Sequence, residues 1–350
     1  MIIFHDYFKI NGGGEYFIYE LSKKLKTKIY TLYCDKKNIE NYNNIFPFFK
    51  LKISTIPLFA IFNYLFIRKK FKDINSPIIL SGNYCIFLIL NPFYRNYKKI
   101  IYMHSLPKIL FYENYYIKLN FFYKIIIKVC YPIFFLLLKN IFKKSKYIIF
   151  NSKNTQKTFD KYFYDLKINS YVMYPFFLKN LSFNKKKCNF FIFNSRHEKN
   201  KNIEKLLSVF SKLPNKKLVL TNQGSLTNDL KKKYHKQKNI SFVGLCDRKK
   251  YESLLNSAIA CIFLPNNEDF GISPIESLVY GCNLIHTNSG GYTEILSNLD
   301  KKLIVNLNDI ENSLYRIIYS FGDNLSKDRL NNSFLKKYQF NISKFQSLIN

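Results

Sequence analysis

The sequence lacks several features that would place it quickly in a class of proteins. It has no tryptophan, no Asp-x-Asp pair and no Cys-x-x-Cys pair in its 350 residues. A metal held by paired aspartates and a structural zinc site are therefore both disfavoured. The seven cysteines are an odd number, which argues against a disulfide framework. We expect Cys85, Cys130 and Cys261 to be small buried hydrophobic residues.

Acidic residues are also scarce: the chain has 23 Asp and Glu against 55 Lys and Arg, a formal net charge of +32. Such a charge favours anionic partners, namely nucleic acid, acidic lipid headgroups or nucleotide-linked substrates. The abundance of Lys, Asn, Ile, Tyr and Phe is equally typical of an AT-rich genome, so the charge has two open explanations. The chain begins with Met1–Phe4, which is typical of a strand and not of a signal peptide, and this predicts a cytoplasmic protein.

Strand-like and helix-like segments alternate along the chain, and its length suffices for two domains. In the first half the predicted strands are Ile2–Phe4, Ile29–Tyr33, Ile78–Leu80, Ile100–Met103 and Tyr147–Phe150. In the second half they are Phe190–Asn194, Lys217–Leu220, Ile240–Val243, Ile259–Leu264, Asn283–His286 and Leu303–Val305. Predicted helices include Glu15–Lys26, Ile203–Lys212, Lys249–Ser257 and one within Lys337–Asn350. The pattern predicts an α/β fold with two parallel sheets, joined between Tyr174 and Lys187.

Two glutamates, Glu268 and Glu276, surround a glycine turn at the end of a predicted strand. Ligands of open α/β sheets bind at this edge. Carboxylates accept hydrogen bonds from hydroxyl groups, and backbone N–H groups at a helix N-terminus bind anions. The segment therefore suits a polyhydroxylated ligand that carries phosphate. The alternative is a surface loop with two solvated glutamates.

Other strand ends carry residues that suit the same kind of ligand. Arg196 and Lys201 follow the first strand of the second half, where two cations could bind a diphosphate. Three consecutive glycines, Gly12 to Gly14, are costly unless the backbone must approach something closely, although a flexible turn is the alternative. His104 also ends a strand, where a lone histidine can be structural or functional.

The segment from Glu268 to Glu276 resembles the Glu-x7-Glu signature of retaining glycosyltransferases of family 4, and the resemblance is strongest from Asn194 to Leu296. It implies the GT-B architecture, in which two Rossmann-like parallel-sheet domains face each other across a cleft. The implied divisions are an acceptor domain at 1–176, a nucleotide-sugar domain at 177–335 and a helix at 336–350 that returns to the first domain. The segment Glu-Asp-Phe-Gly-Ile is similar to the corresponding segment of bacterial O-antigen mannosyltransferases. This similarity implies GDP-mannose as the first choice of donor and a UDP-sugar as the next.

The resemblance also implies roles for single residues. Arg196 and Lys201 match an Arg-x4-Lys pair that neutralises the leaving diphosphate, Glu276 would bind the ribose, and Glu268 and His104 would contact the donor sugar. The remaining expected donor contacts are Gly13, Gly14, Gly224, Asp269, Phe270, Gly271, Ile272 and Ser273. Of the family's Gly-x-Gly turn only Gly224 is present. We expect Gly290-Gly291 to be a structural strand-to-helix turn and Asn151-Ser152 to be a helix cap.

The activity implied by the resemblance is a retaining, metal-independent hexosyl transfer without a cofactor. The acceptor would be lipid-linked or a saccharide, as in the synthesis of lipopolysaccharide and other surface polysaccharides. Two alternatives stay open: a basic nucleic-acid-binding protein, for which the sequence shows no repeat of aromatic and basic residues, and a catalytically silent scaffold.

One segment bears on the location of the protein. Tyr115–Ile141 contains the apolar run Val129–Leu138, which Pro132 interrupts and lysines flank. A spanning helix needs about 20 apolar residues, so we expect this run to be too short to cross a membrane. It is either a core helix or a basic amphipathic helix on an anionic membrane surface. The resemblance favours the second, which predicts a peripheral protein on the inner face of the cell membrane.

Overall fold

The chain divides into two compact units, which we call domain 1 (Met1–Phe176 with Phe340–Asn350) and domain 2 (Phe177–Gln339). The computed structural model describes residues 1–8, 12–35, 43–49, 57–70, 76–112, 120–175, 188–296, 301–322 and 338–349. Most of the predicted junction between Tyr174 and Lys187 lies outside the described residues. Each domain contains its own parallel sheet and its own hydrophobic core.

Among the described residues, the sheet of domain 1 has seven parallel strands in the order β3-β2-β1-β4-β5-β6-β7. They are β1 (Ile2–Phe8), β2 (Ile29–Cys34), β3 (Ile45–Phe49), β4 (Ile78–Ser81), β5 (Lys99–Met103), β6 (Tyr147–Phe150) and β7 (Ser170–Val172). The central strands are almost wholly buried apolar runs, as expected for a parallel sheet covered on both faces.

The sequence missed the two edge strands of this sheet. β3 contains Pro47, which cannot donate a ladder hydrogen bond and is therefore tolerated at an edge. β7 has only three residues, and each of them is half-buried, so it leaves little hydrophobic signal.

Helices connect these strands. They are α1 (Gly13–Lys24), α2 (Pro57–Phe66), α3 (Lys108–Phe111), α4 (Phe121–Lys144) and α5 (Lys153–Phe163), with 3₁₀ helices at Cys85–Leu90 and Pro92–Tyr94. The last helix of the chain, Ile342–Ile349, belongs to the same unit. Before it, the Phe340 ring lies 5.2 Å from the ring of Phe17 on α1 and 6.3 Å from that of Tyr102 on β5.

The described part of domain 2 has six parallel strands in the order β10-β9-β8-β11-β12-β13. They are β8 (Cys188–Phe193), β9 (Leu218–Thr221), β10 (Ile240–Gly244), β11 (Ala258–Phe263), β12 (Asn283–Thr287) and β13 (Ile304–Val305). Its helices are α6 (Ile203–Ser211), α7 (Thr227–Lys233), α8 (Arg248–Ser257), α9 (Ile272–Val279) and α10 (Ile310–Tyr319). The two parallel sheets confirm the predicted fold class.

Helix α4 differs from its prediction. Asn120 caps its first turn by accepting a hydrogen bond from the Tyr123 N–H, and the helix continues through Pro132 for 24 residues. By length and composition alone it could cross a membrane, with a mean hydropathy of 2.0 over its best 18 residues. The helix is thus longer than the predicted run Val129–Leu138, and its length alone does not exclude a span. Cys130 is exposed on this helix, which corrects its predicted burial, whereas Cys85 and Cys261 are buried as predicted.

Candidate active site

The functional residues predicted in domain 2 lie in loops at one edge of its sheet and on α9, which begins there. Because all six strands are parallel, the loops after β8, β9, β11 and β12 leave the sheet on the same side. Hydrogen bonds join these loops directly. The side chain of Asn222 donates to the Asn194 carbonyl, and the Asn266 N–H donates to the Asn200 carbonyl at 2.9 Å.

Lys201 and Glu268, which come from two different strand ends, are in direct contact. Lys201 ends a 3₁₀ turn after β8, and its Nζ donates a hydrogen bond to Oε2 of Glu268 in an ion pair. The ammonium group is buried and lies 5.5 Å from the centre of the Phe263 ring. An ammonium group has three N–H donors, so Lys201 can hold Glu268 and still bind an anion.

The backbone of Glu268 is fixed by the turn that follows β12. Glu268 and Gly290 form a parallel bridge, and the Gly291 N–H donates to the Glu268 carbonyl at 3.0 Å. Gly290 has φ +133°, and a Cβ added there would lie 2.4 Å from the Glu268 carbonyl oxygen. Only glycine fits this place. The pair Gly290-Gly291 is thus structural, as predicted, and its structural task is to hold Glu268.

The turn between the two glutamates presents backbone donors. Gly271 has φ +86° and is the residue before α9, so the N–H groups of Gly271, Ile272 and Ser273 lie at the positive end of that helix. The side chains of Asp269 and Phe270 are buried. Phe270 can therefore contact a ligand only through its backbone. The arrangement is chemically suited to an anion.

Glu276 is held on both carboxylate oxygens by residues that the sequence analysis did not single out. Arg248 Nη1 donates to Oε1 at 2.9 Å, and the Tyr251 hydroxyl donates to Oε2 at 3.1 Å. Tyr251 is itself fixed, because Asn194 Nδ2 donates to its hydroxyl at 2.9 Å. Arg248 and Tyr251 lie on α8, where no sequence motif marks them. The one feature of the sequence that could have pointed to them is that their helix follows directly after a predicted strand.

Arg196 is exposed in the loop after β8, and its neighbour His197 fixes that loop. Nδ1 of His197 bonds to the Thr227 hydroxyl at 3.0 Å, and Nε2 bonds to the Thr221 carbonyl at 3.1 Å. Burial lowers the pKa of His197, so the ring is neutral at pH 7. A Cβ added to Gly224 would lie 2.4 Å from the His197 carbonyl oxygen. Gly224 therefore permits the close packing of two strand-end loops.

In domain 1, the predicted residues Gly13, Gly14 and His104 lie close together. Gly13 and Gly14 begin α1, and a Cβ added to Gly14 would lie 3.7 Å from Cε1 and Nδ1 of His104. Asn151 Nδ2 donates to the His104 carbonyl at 2.8 Å, and Ser152 caps α5 by accepting from the Thr155 N–H, as predicted for that turn. The glycine turn thus lies beside one edge of the imidazole ring.

Among the described residues, no group of three or more His, Cys, Asp or Glu side chains is arranged to hold a metal ion. The groups described at the domain 2 edge are three cations, Arg196, Lys201 and Arg248, two carboxylates, Glu268 and Glu276, and the N-terminus of α9. Such groups can bind a diphosphate and hydroxyl groups.

Comparison with known proteins finds a family match that covers most of domain 2. Residues 176–334 match the family described as glycosyl transferases group 1. A search of curated proteins finds no significant match.

Solved structures match the whole chain. HepE from Anabaena, solved with UDP-glucose, has a TM-score of 0.67 and 13% identity, and the match covers 99% of this chain and 97% of that one. The pneumococcal O-GlcNAc transferase GtfA, solved with UDP and GlcNAc, has a TM-score of 0.68 and 10% identity, with coverage of 100% and 98%. The lipopolysaccharide outer core galactosyltransferase WaaB has 0.56 and 12%, with coverage of 100% and 94%. At these identities the matches show the fold, which is the GT-B architecture predicted from the sequence.

Proposed function

We propose that the protein is a retaining, metal-independent glycosyltransferase that moves a sugar from a nucleotide-sugar donor to a lipid-linked or saccharide acceptor in surface polysaccharide synthesis. The observation that carries this proposal is the Lys201–Glu268 contact at the strand edge that also presents Glu276 and the α9 N-terminus. The family match of residues 176–334 supports the same reaction class.

Each group has a chemical task in this reaction. Lys201 and Arg196 stabilise the negative charge that develops on the leaving diphosphate, and the N–H groups before α9 add to that stabilisation. Glu268 accepts hydrogen bonds from hydroxyls of the donor sugar, and Glu276 accepts them from the ribose. In domain 1, we assign His104 to a hydrogen bond with the donor sugar. The cationic side chains supply the charge that a divalent ion would otherwise supply.

The donor can be identified by thermal stability. The Glu-Asp-Phe-Gly-Ile segment favours GDP-mannose, whereas the similar structures of HepE and GtfA contain UDP-glucose and UDP. A ligand present at 100 times its Kd stabilises the folded state by about 2.7 kcal/mol. We therefore expect one class among GDP-, UDP- and ADP-sugars to raise the melting temperature by several degrees.

The same assay tests Glu276. Because its carboxylate would accept two ribose hydrogen bonds, we expect Glu276→Gln to weaken binding of the active donor about tenfold or more. Glu204→Gln, an exposed glutamate on α6 of the same domain, should leave the affinity unchanged. Equal affinity of the Glu276 variant and the wild type would contradict the assignment. Absence of any nucleotide-sugar shift, together with sequence-specific nucleic-acid binding, would favour the alternative of a basic binding protein.

The membrane part of the proposal rests on the exposed faces of α2 and α4. No side chain is buried from Phe121 to Leu137. The exposed large apolar residues of the two helices are Leu58, Phe59, Phe62, Phe66, Phe121, Phe122, Tyr123, Ile125, Ile126, Val129, Ile133, Leu136 and Leu137. We call them the apolar helical surface. Both helices pack against one core cluster that includes the 3₁₀ helix Cys85–Leu90, so they belong to one layer of domain 1.

The charge around this surface suits acidic lipid. The described residues of 57–70 and 120–144 contain Arg68, Lys69, Lys70, Lys124, Lys128, Lys139, Lys143 and Lys144 but no Asp or Glu. Each basic residue near an anionic leaflet contributes about 1 kcal/mol of attraction. A second copy of the chain would present the same positive charge and be repelled.

Helix α4 would lie on the membrane and not cross it. Its last turns contribute Leu138, Ile141 and Phe142 to the core of domain 1, and removal of such side chains from a core costs about 2–5 kcal/mol each. Lys124 and Lys128 would also have to enter the hydrocarbon. Insertion of the exposed face to headgroup depth avoids both costs.

We expect the protein to sediment with vesicles rich in phosphatidylglycerol and to stay partly bound at 1 M salt, where the lysine attraction is screened. The double variant Ile126→Glu, Ile133→Glu should bind at least tenfold more weakly, because two exposed apolar anchors become acidic. Tyr319→Glu, an exposed aromatic position on α10 of domain 2, is the control. Unchanged vesicle binding by the double variant would contradict the role of this surface.

A further inference from the structure

Three side chains of domain 1, the buried His5 and Ser81 and the half-buried His104, form a hydrogen-bonded chain that ends at His104. His5 Nδ1 lies 3.1 Å from the Ser81 hydroxyl, and that hydroxyl lies 2.8 Å from His104 Nε2. Ser81 is fully buried at the end of β4, and His5 is buried on the adjacent strand β1. The two strands are paired directly at these residues, so the sheet itself sets the spacing of the chain.

The direction of the first hydrogen bond follows from the surroundings of His5. Burial is the largest influence on the pKa of His5 and lowers it, whereas a hydrogen bond to the Ser81 backbone raises it. A hydrogen bond that favours protonation uses a ring N–H as the donor. Burial nevertheless lowers the pKa of His5 to about 4, so the neutral ring carries a single proton at pH 7. We assign that proton to Nδ1, the nitrogen that lies 3.1 Å from the Ser81 hydroxyl.

The direction of the second hydrogen bond, between Ser81 and His104, follows from the direction of the first. The Ser81 oxygen accepts from His5, so its single hydrogen is free to be donated to His104 Nε2. Burial and the neighbouring His5 lower the pKa of His104, so this ring is also neutral. Since Nε2 accepts, the one ring proton of His104 is on Nδ1. The Nδ1 and Cε1 atoms of His104 are the ring atoms that lie nearest Gly14.

We infer that His5 and Ser81 are positioning residues that hold His104 in the Nδ1–H tautomer, with its N–H donor on the side of the Gly13-Gly14 turn. The inference rests on the proposed function, in which His104 hydrogen-bonds the donor sugar. A neutral N–H donor matches a sugar hydroxyl oxygen. The opposite tautomer would present a bare nitrogen on that side and lose the donor.

The tautomer can be measured without any substrate. With ¹⁵N-labelled histidine, the chain gives signals from only five rings, and His104→Gln assigns the one in question. At pH 7 we expect the wild type to show a protonated Nδ1 and an unprotonated Nε2 at His104. Ser81→Ala should shift this ring toward the Nε2–H form, which free histidine prefers. Ser22→Ala removes another fully buried hydroxyl of domain 1 and should leave the His104 signal in place.

Kinetics provide the second readout. Ser81→Ala should lower kcat about tenfold with little change in KM for the donor, and Ser81→Thr, which keeps the hydroxyl, should restore much of the rate. An Nε2–H ring in the wild type, or an unchanged tautomer in Ser81→Ala, would overturn the inference. If His104→Gln left transfer unaffected, the role of His104 in the proposed function would be wrong, although the measured tautomer could still agree with the hydrogen-bond chain.

Discussion

Lys201→Ala is expected to lower kcat/KM for sugar transfer by about a hundred- to a thousandfold. Loss of one preorganised group that stabilises developing charge has effects of this size in other enzymes. Lys201 is buried and paired with Glu268, so no water can replace its ammonium group without rearrangement. Its removal also leaves the Glu268 carboxylate without its cation, beside the phosphates of the donor. Both effects lower kcat/KM.

The measurement is steady-state transfer with the donor identified by thermal shift. Lys199→Ala is the matched control, because Lys199 belongs to the same 3₁₀ turn but is exposed. It should change kcat/KM by less than about twofold, since exposed charges contribute little. If the two variants behaved alike, Lys201 would not be the residue that stabilises the leaving diphosphate.

A double-mutant cycle with Glu268→Gln separates catalysis from stability. Breaking a fully buried ion pair on one side costs about 3–5 kcal/mol, and the cost here is lower because the Glu268 side chain is 23% exposed. The urea unfolding free energy of Lys201→Ala should therefore fall, and Glu268→Gln in the same chain should recover part of it. Transfer should not recover, because the phosphate contact is still absent.

Gly290→Ala is expected to have the second largest effect, although Gly290 contributes no side chain. A methyl group there would meet the Glu268 carbonyl at 2.4 Å, and φ +133° is a conformation that alanine rarely adopts. Strain of this kind costs about 1–3 kcal/mol, and the backbone clash adds to it. The segment that carries Glu268 must therefore move, and a displacement of about 1 Å at a catalytic group can cost a hundredfold in rate.

Two measurements check this expectation: the free energy of unfolding, which should fall by at least about 2 kcal/mol, and kcat, which should fall at least about fiftyfold. Gly322→Ala is the control in domain 2, because a Cβ there would meet nothing closer than the Ser320 carbonyl at 4.0 Å. A Gly290 variant with normal stability and rate would show that the turn does not fix Glu268.

The sequence correctly predicted the helices and strands that have a clear local pattern of apolar residues and glycines. The central strands are buried apolar runs, and Gly271 and Gly281 mark the two ends of α9 with positive φ. β3 and β7 were missed because edge strands carry a proline or few apolar residues. Helix α4 was underestimated because Pro132 suggested an interruption, whereas Pro132 lies inside one continuous helix.

The sequence by itself determined which chemical groups stand at strand ends: Arg196 and Lys201 after β8, Glu268 before a glycine turn, and His104 after β5. Those assignments need only local pattern, since a strand end can be located along the chain. The partners of these groups were decided by tertiary structure. The order of strands β8 and β11 in the sheet puts Lys201 against Glu268.

Tertiary structure also decided the contacts of Arg248, Tyr251 and Ser81, which no sequence motif marks. Arg248 and Tyr251 reach Glu276 only because α8 and α9 meet at one sheet edge, and Ser81 reaches both His5 and His104 because β4 lies between β1 and β5. Such contacts join residues far apart along the chain, and their geometry depends on strand order and register, which a local pattern does not contain.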